Sequence, residues 1–334
     1  MAPIELSVST VVRATVLNRT IWWRIEFLKC NDSQVNIWFK KKGEEMLDVI
    51  WDMETGDPDD FFTLILLLGH SEVNLKAVTI TPGAEDQIGL VRKVLKDFKA
   101  DIPIGAFNIG HPKKCVSGWY HKVYGEFVPS KDAELGADVI YNNCNEDTTI
   151  ITGAPLKNLG FAIEKYPDLI AGRLVAQGGF AGQGVVPEDK QLDKFKGRLT
   201  CPTYNFNGAP GFAQTVLNFD GIKVKKFVSK NVCHGVYYNN ELHKEIEIIK
   251  NKPKYLELIY SCMNKYLQKK SDGKKFHDPL AACAAINEDI ITWKEVKLFR
   301  DKGEWGAKLC KGSNIWISID YNRRKFVKTL LGGS

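Results

Sequence analysis

The sequence has no apolar run close to the roughly 20 residues that a membrane-spanning helix needs. Its longest apolar stretch, residues 61–68, is interrupted by Thr63. It also has no internal repeat and no low-complexity segment. Because 44% of the 334 residues are hydrophobic and 26% are charged, a mostly disordered chain is excluded. We therefore expect a chain with a folded core and no membrane partner.

Cysteines are scattered, and none of the eight forms a C-x-x-C pair. A zinc-ribbon or redox motif therefore has no support. A chain of this size does not need a disulfide framework. Cys262 and Cys283 lie in apolar contexts that are typical of buried free thiols. No basic-then-apolar signal segment is visible, so we expect a reducing compartment, the cytoplasm.

Basic residues are in small excess over acidic ones, 46 to 40, which gives a net charge of +6. The lysines are scattered or form short runs, such as residues 40–42. A nucleic-acid binder more often has a basic stripe with interleaved aromatic residues. The sequence therefore predicts no nucleic-acid partner.

Residues 1–46 differ in pattern from the rest of the chain. They contain segments rich in Val, Ile, Thr and Trp, which favour strands, at residues 6–12, 20–27 and 35–39. We expect a β-rich N-terminal extension of unknown role. From residue 47 onward, strand-like and helix-like apolar patterns alternate. This alternation predicts an α/β domain over residues 47–334, with a mostly parallel, doubly wound sheet flanked by helices.

The most informative stretch is an acidic turn between a buried strand pattern at residues 47–51 and a buried helix pattern at residues 61–68. Its carboxylates are Asp52, Glu54, Asp57, Asp59 and Asp60. The carboxyl end of a strand is where α/β sheets bind ligands. Crowded like charges need compensation there, and a helix N-terminus supplies only about half a charge. A hard divalent cation with oxygen ligands therefore fits this turn.

Two other interpretations of the turn stay open. It can be an exposed acidic loop with ordinary helix capping. Residues 52–55 also approximate the D-x-D-x-T motif of haloacid-dehalogenase-type phosphatases, in which Asp52 would be the nucleophile. That chemistry needs a later pair of carboxylates after a strand, and the sequence has no convincing one.

The turn resembles the fingerprint of the nucleoside hydrolase family, a strand followed by D-x-D-x-G-x-D-D and a helix. Glu54 stands where the family usually has Asp, and one extra residue precedes Asp59 and Asp60. The chain is thus similar to a divergent member, of the inosine-uridine preferring type. The resemblance extends over roughly residues 47–330.

Later segments add to the resemblance. Residues 150–159 are similar to the family's T-G-P-L-T-N segment, and residues 275–281 contain its H-D-P-L-A motif. Residues 204–207 resemble the end of its E-F-N segment, with Thr203 in place of the glutamate. The family's asparagine after the second strand falls near Ala84, where Glu85 or Asp86 is the expected substitute.

The resemblance implies metal-dependent hydrolysis of the N-glycosidic bond of ribonucleosides, through an oxocarbenium-like transition state. A Ca²⁺-bound water would be the nucleophile, and ribose and a free base would be released. The implied metal ligands are Asp52, Glu54, Asp60, the backbone carbonyl of Thr152, and Asp278. The substrate would be a small-molecule nucleoside, and the protein a homo-oligomer, dimeric or tetrameric.

Roles for the reacting groups follow from the same resemblance. Because Ca²⁺ acidifies water less than Zn²⁺ does, we expect Glu54 to act as general base, with Asp57 in reserve. His277 would face the leaving base and protonate it. Asp59 would bind the ribose 2′- and 3′-hydroxyls, and Asn205 the hydroxymethyl end.

Other roles and activities stay open at this point. Trp119 and Tyr120 are candidates for stacking on the leaving base. The altered positions Thr203 and Ala84 leave two alternative functions: a catalytically weak relative that binds nucleosides, or an N-glycosidase that acts on another ribosyl compound.

Overall fold

The computed structural model describes residues 8–16, 19–27, 37–41 and 46–333. The chain divides into two compact units, Met1–Met46 and Leu47–Ser334. Within the described part of the first unit, three strands form an antiparallel sheet in chain order. They are β1 (Val8–Val16), β2 (Arg19–Phe27) and β3 (Ile37–Lys41). Parts of the strand segments expected at residues 6–12 and 35–39 lie outside the described residues.

The described part of the second unit is built on an eleven-stranded sheet and one short two-stranded ribbon. Its strands are β4 (Leu47–Met53), β5 (Val73–Ile80), β6 (Ile104–Ala106), β7 (Glu134–Leu135), β8 (Thr149–Thr152), β9 (Ala171–Gln177), β10 (Thr200–Cys201), β11 (Ile222–Val228), β12 (Tyr237–Tyr238), β13 (Lys274–Lys275), β14 (Ile291–Asp301), β15 (Glu304–Leu309) and β16 (Ile315–Tyr321). The ribbon pairs β12 with β13.

The order of the large sheet is β10-β15-β14-β16-β11-β9-β8-β4-β5-β6-β7. All neighbouring pairs from β16 to β7 are parallel, whereas β14, β15 and β10 form an antiparallel edge. The predicted mostly parallel α/β architecture is therefore confirmed. The antiparallel edge was not part of the sequence prediction.

Helices cover both faces of this sheet. In chain order they are α1 (Pro58–Gly69), α2 (Glu85–Phe98), α3 (Gly118–Tyr124), α4 (Gly136–Asn143), α5 (Lys157–Lys165), α6 (Tyr204–Asn207), α7 (Pro210–Asn218), α8 (Lys230–Cys233), α9 (Asn240–Glu247), α10 (Lys254–Leu267), α11 (His277–Ile286) and α12 (Arg323–Leu330). No helix in the described ranges combines the length and apolar character needed to cross a bilayer.

The central strand β4 has three consecutive apolar residues, at positions 49–51, because both of its faces are buried. Val49, Trp51 and Met53 belong to one buried cluster, which also contains residues of α1, α10 and α11. Ile50 belongs to the cluster on the opposite face, with residues of α4, α5 and α7. Because successive side chains alternate between faces, a strand buried on both sides needs apolar residues at consecutive positions.

Helix α1 is buried nearly all round, which accounts for its apolar sequence at residues 61–68, broken only by the buried Thr63. Pro58 stands at its first turn, where a missing N–H costs nothing. The helix packs against α11, far along the chain. The first turns of both helices lie near the carboxyl ends of β4 and β8, and the acidic turn is thereby carried to this edge of the sheet.

Helix α2 is capped at its N-terminus by a side chain of its own first turn. The cap position is Ala84, and the Gln87 side chain accepts hydrogen bonds from the backbone N–H groups of Gly83 and Ala84, each at 3.0 Å. Asp86 lies inside the helix and accepts hydrogen bonds from the backbone N–H groups of Cys115 and Val116, at 2.9 and 2.8 Å. A longer side chain in the first turn thus performs the capping, and Asp86 fixes the loop that follows β6.

Candidate active site

Three buried carboxylates converge where α1 and α11 begin. Asp59 and Asp60 belong to the first turn of α1, and Asp278 to the first turn of α11. One oxygen from each lies within 4.8 Å of the others. The three side chains are only 2–4% exposed. The structure thus brings together two acidic stretches that are more than 200 residues apart in the chain.

The three carboxylates of the cluster repel one another. Burial raises the pKa of Asp60 well above its usual range, and the charges of Asp59 and Glu54 raise it further. Burial likewise raises the pKa of Asp278, with Asp60 and Asp59 adding to the effect. Buried like charges at this distance favour protonation of one or more of them. A hard divalent cation would offset the repulsion, so the oxygen-donor set fits such an ion.

A buried lysine accompanies the cluster and was missed by the sequence analysis. The Lys274 ammonium lies 2.9 Å from Asp57 Oδ1 and 3.2 Å from Asp59 Oδ1, and the side chain is 5% exposed. Burial lowers the pKa of Lys274, but Asp59 and Asp57 outweigh burial and raise it overall. Asp57, the reserve general base, is therefore held in an ion pair. A lysine in a two-residue strand carries no sequence signal for this role.

The end of β8 approaches the cluster closely at Gly153. A Cβ atom on Gly153 would lie 2.6–2.8 Å from the carboxyl atoms of Asp278. The Gly153 carbonyl accepts a 2.7 Å hydrogen bond from Asn205, and its N–H donates to the Asp52 carbonyl at 3.0 Å. Thr152, the residue expected to offer its carbonyl to a metal, directly precedes this point.

Asp52 occupies a place different from the one expected of a metal ligand. Its Oδ1 accepts hydrogen bonds from Thr79 Oγ1 at 2.8 Å and Asn158 Nδ2 at 2.9 Å, and its Oδ2 accepts one from Thr152 Oγ1 at 3.0 Å. The side chain is fully buried, and burial raises its pKa to about 6 against these hydrogen bonds. Asp52 is thus committed to tying β4, β5, β8 and α5 together, and lies outside the three-carboxylate cluster.

Glu54 follows β4 and faces the open side of the cluster. Its backbone N–H donates to Asp60 Oδ1 at 2.8 Å, and its carboxylate accepts a long, 3.4 Å hydrogen bond from the Tyr204 hydroxyl. Burial raises the pKa of Glu54 to about 7. A carboxylate with this pKa is suited to take up a proton near neutral pH.

An inner cavity of about 480 Å³ lies over the cluster. We call it the inner cavity; its lining includes Glu54, Asp59, Asp60, Asn205, His277 and Asp278. Asn205 is buried, and its amide donates to the backbone carbonyl and the side-chain oxygen of Gln177, at 2.9 and 2.7 Å. The structure therefore gathers all but two of the expected site residues, Asp52 and Thr152, in the lining of one cavity.

His277 lies at the rim of the same cavity, with an uncharged imidazole. Its backbone N–H donates to Asp59 Oδ2 at 3.1 Å, and its ring stacks on His234 with centroids 4.9 Å apart. Burial, and then the charge of Lys274, lower the pKa of His277 to about 3. The environment thus opposes the imidazolium that the expected protonation of the leaving base would use. Its buried Nε2 has no hydrogen-bond partner among the described residues.

The two candidate stacking residues, Trp119 and Tyr120, lie outside the described lining of the inner cavity. Tyr120 is fully buried, and its hydroxyl contacts the carbonyls of Thr55 and Asp57 at 3.1 and 3.2 Å, so it supports the acidic turn. Trp119 is half-buried and packs edge-on against Phe62 and Tyr120. Both residues belong to α3. The exposed aromatic side chain that lines the cavity is Tyr204.

The expected substitutes for the family's asparagine near Ala84 are also engaged elsewhere. Glu85 pairs with Lys131 at 3.3 Å, and the Asp86 carboxylate binds the loop after β6.

The site is typical of α/β enzymes. Buried carboxylates that can bind a cation lie beneath a cavity, at the carboxyl edge of a parallel sheet. The sequence matches the family model described as inosine-uridine preferring nucleoside hydrolase over residues 49–328. The chain therefore belongs to the inosine-uridine preferring nucleoside hydrolase family, and is a hydrolase that acts on N-glycosyl compounds. The resemblance stated from its motifs is confirmed. No curated protein sequence matches the chain.

Solved structures share the fold at low sequence identity. A plant nucleoside hydrolase, PpNRh1, superposes with a TM-score of 0.64 and 18% identity, over 85% of this chain and 98% of that one. An inosine-uridine preferring nucleoside hydrolase from Bacillus anthracis gives 0.63 and 19%, over 86% and 99%. A purine-preferring ribonucleoside hydrolase from Gardnerella vaginalis gives 0.60 and 15%, over 85% and 97%.

The close approach of Gly153 to Asp278 yields a first prediction. Gly153→Ala should weaken Ca²⁺ binding at least about tenfold, because the added methyl group displaces the Asp278 carboxylate. The measurement is calorimetric titration of Ca²⁺ into metal-free protein. Gly211→Ala is the control, since a Cβ there meets no atom within 4 Å. Equal Ca²⁺ affinity in the two variants would contradict the contact.

The Tyr120 hydroxyl yields a second prediction. Tyr120→Phe should lower the free energy of unfolding by about 1–2 kcal/mol, because the backbone carbonyls of Thr55 and Asp57 in the acidic turn lose the hydroxyl that they share. Tyr141→Phe is the control, since its hydroxyl contacts the exposed Asp168. Urea unfolding of both variants gives the comparison. A loss in Tyr141→Phe as large as that in Tyr120→Phe would refute the assigned support.

Proposed function

We propose that the protein hydrolyses the N-glycosidic bond of ribonucleosides in a Ca²⁺-dependent reaction. The observation that carries the proposal is the convergence of Asp59, Asp60 and Asp278 beneath the inner cavity. The released products would be ribose and a free base. Family membership supports the reaction type, and the oxygen-donor set supports a hard divalent cation.

The residues that would hold the ion are Asp60, Asp278 and Glu54, with the Thr152 carbonyl at the end of β8. Asp52, expected from the sequence as a ligand, is left out because its oxygens already accept hydrogen bonds from three side chains. When bound, a divalent cation supplies positive charge that lowers the pKa of a water molecule and orients it.

Glu54 is the proposed general base. It lines the inner cavity, and burial places its pKa close to neutral, so its carboxylate can accept the proton of the attacking water. Its backbone contact with Asp60 fixes the start of the side chain relative to the cluster. Asp57 is no longer a reserve base in this proposal, because Lys274 pairs with it.

The sugar would be bound through Asp59 and Asn205. Asp59 is oriented by Lys274 and by the His277 N–H, which suits it to accept hydrogen bonds from the ribose 2′- and 3′-hydroxyls. Asn205, held by Gln177, would lie at the hydroxymethyl end. The negative charge of the site favours the positive charge that develops on the sugar in the transition state.

His277 is proposed to face the leaving base as a neutral imidazole. Its unpartnered Nε2 is buried at the cavity rim. A neutral ring can still donate one hydrogen bond to a base nitrogen. This role replaces proton donation from an imidazolium, which burial disfavours.

The wider organisation completes the proposal. Residues 47–334 would be the catalytic domain and residues 1–46 an appended segment. We further propose that the protein is a homo-oligomer of the cytoplasm. The free thiols of the described residues, which include the buried Cys262 and Cys283, support a reducing compartment.

The proposal predicts ribose release from a panel of nucleosides in the presence of Ca²⁺, and loss of that release after chelation. Glu54→Gln should lower kcat by about 10²–10⁴-fold, because general-base assistance is removed. Asp278→Asn should abolish Ca²⁺-dependent turnover. Glu257→Gln and Asp147→Asn, both at exposed positions, are the controls. Reducing-sugar formation is the readout.

Two outcomes would decide against the proposal. Full activity in Asp278→Asn would place the chemistry elsewhere. Absence of ribose from every nucleoside, together with Ca²⁺-dependent thermal stabilisation, would favour a nucleoside-binding protein without catalysis.

A further inference from the structure

A second, outer cavity of about 870 Å³ adjoins the inner one. The two cavities share Glu54, Gly56, Thr203, Tyr204 and Lys230 in their linings. A ligand bound over the acidic cluster can therefore extend into the outer cavity without crossing protein. The chemistry of this second space bears on which ribosyl compounds the site accepts.

The outer cavity is strongly basic. Its lining contains Lys113, Lys114, Lys157 and Lys230, whereas Glu54, at the junction, is the carboxylate that the described lining contributes. No carboxylate of the described residues lies within the 4.0 Å ion-pair distance of these four ammonium groups, in contrast to Lys274, which pairs with Asp57 and Asp59. Clustered cations whose charge no nearby carboxylate offsets raise the local concentration of anions.

The junction of the cavities also holds an unsatisfied donor. Thr203 is 3% exposed, and its Oγ1 has no hydrogen-bond partner among the described residues. It is the N-cap residue of α6, but its side chain does not cap that helix. A buried hydroxyl without a partner is costly in a folded protein, so a ligand oxygen at the junction would complete its hydrogen bonding. Lys230, whose ammonium donates to the Pro202 carbonyl at 2.7 Å, borders the same point.

We propose that the outer cavity binds a phosphate group carried by the ribosyl substrate, so that the enzyme prefers nucleoside 5′-monophosphates to neutral nucleosides. The cationic side chains Lys113, Lys114, Lys157 and Lys230, and the Thr203 hydroxyl, form the phosphate site. This inference rests on the proposed N-glycoside hydrolysis. The reaction is the same with either substrate: water adds to C1 of the sugar, the N-glycosidic bond breaks, and the base leaves with the bonding electron pair and a proton, here with ribose 5-phosphate as the other product.

The direct test compares kcat/KM for uridine and uridine 5′-monophosphate, and for inosine and its 5′-monophosphate, with base release as the readout. The wild-type protein should favour the monophosphates, and added salt should reduce that preference. In Lys113→Gln/Lys114→Gln, the ratio of the two kcat/KM values should fall about tenfold. The matched control is Lys269→Gln/Lys270→Gln, which removes the same charge at exposed positions and should leave the ratio unchanged.

Thr203→Val tests the hydroxyl with little change in volume. It should lower the monophosphate preference, whereas a merely structural role would change only the unfolding temperature. A nucleoside with a carboxylate on its base, orotidine, serves as the second anionic substrate. Preference for orotidine without preference for the monophosphates would overturn the phosphate proposal.

A binding measurement separates this inference from the proposed function. Ribose 5-phosphate should bind the Ca²⁺-loaded protein more tightly than ribose, and Lys113→Gln/Lys114→Gln should remove the difference. That result, with no turnover of any substrate, would support the phosphate site and reject the hydrolase activity. Normal nucleoside cleavage with no preference for ribose 5-phosphate or for the monophosphates would reject the phosphate site alone.

Discussion

The mutual repulsion of carboxylates buried at one edge of the sheet is the constraint around which this structure is organised. Asp59, Asp60 and Asp278 are held together by the meeting of α1 and α11, although burial and like charge raise the pKa of Asp60 and Asp278. Lys274 offsets part of the charge, and two helix N-termini add about half a charge each. The remaining excess is what a divalent cation would neutralise.

The surrounding fold keeps the repelling groups in place. Asp52 ties three parallel strands and α5 together beneath the cluster. The Tyr120 hydroxyl holds the backbone of the acidic turn, and Gly153 leaves room for Asp278. Asp52 and Tyr120 lie outside the described lining of the inner cavity and Gly153 lies in it, and all three position the groups that face it. The scaffold therefore supplies the preorganisation that an acidic site requires.

Sequence patterns were sufficient to predict the parts of the site that depend on residues close together in the chain. An acidic turn between a strand pattern and a helix pattern is expected at the carboxyl edge of a parallel sheet. This rule places Asp59 and Asp60 at that edge. Sequence patterns could not reveal that the Asp52 carboxylate accepts three side-chain hydrogen bonds, because the donors come from β5, β8 and α5. Nor could they reveal Lys274 or the neutral state of His277, which depend on burial and on charges from distant segments.

The most direct measurement is a calorimetric double-mutant cycle for Ca²⁺ binding with Asp60→Asn, Asp278→Asn and the double variant. If both carboxylates hold one ion, the wild-type protein binds one Ca²⁺ per chain at this centre, each single change removes most of the affinity, and the double change adds little more. Independent, additive losses, or a Ca²⁺ affinity that neither substitution alters, would contradict a shared ion.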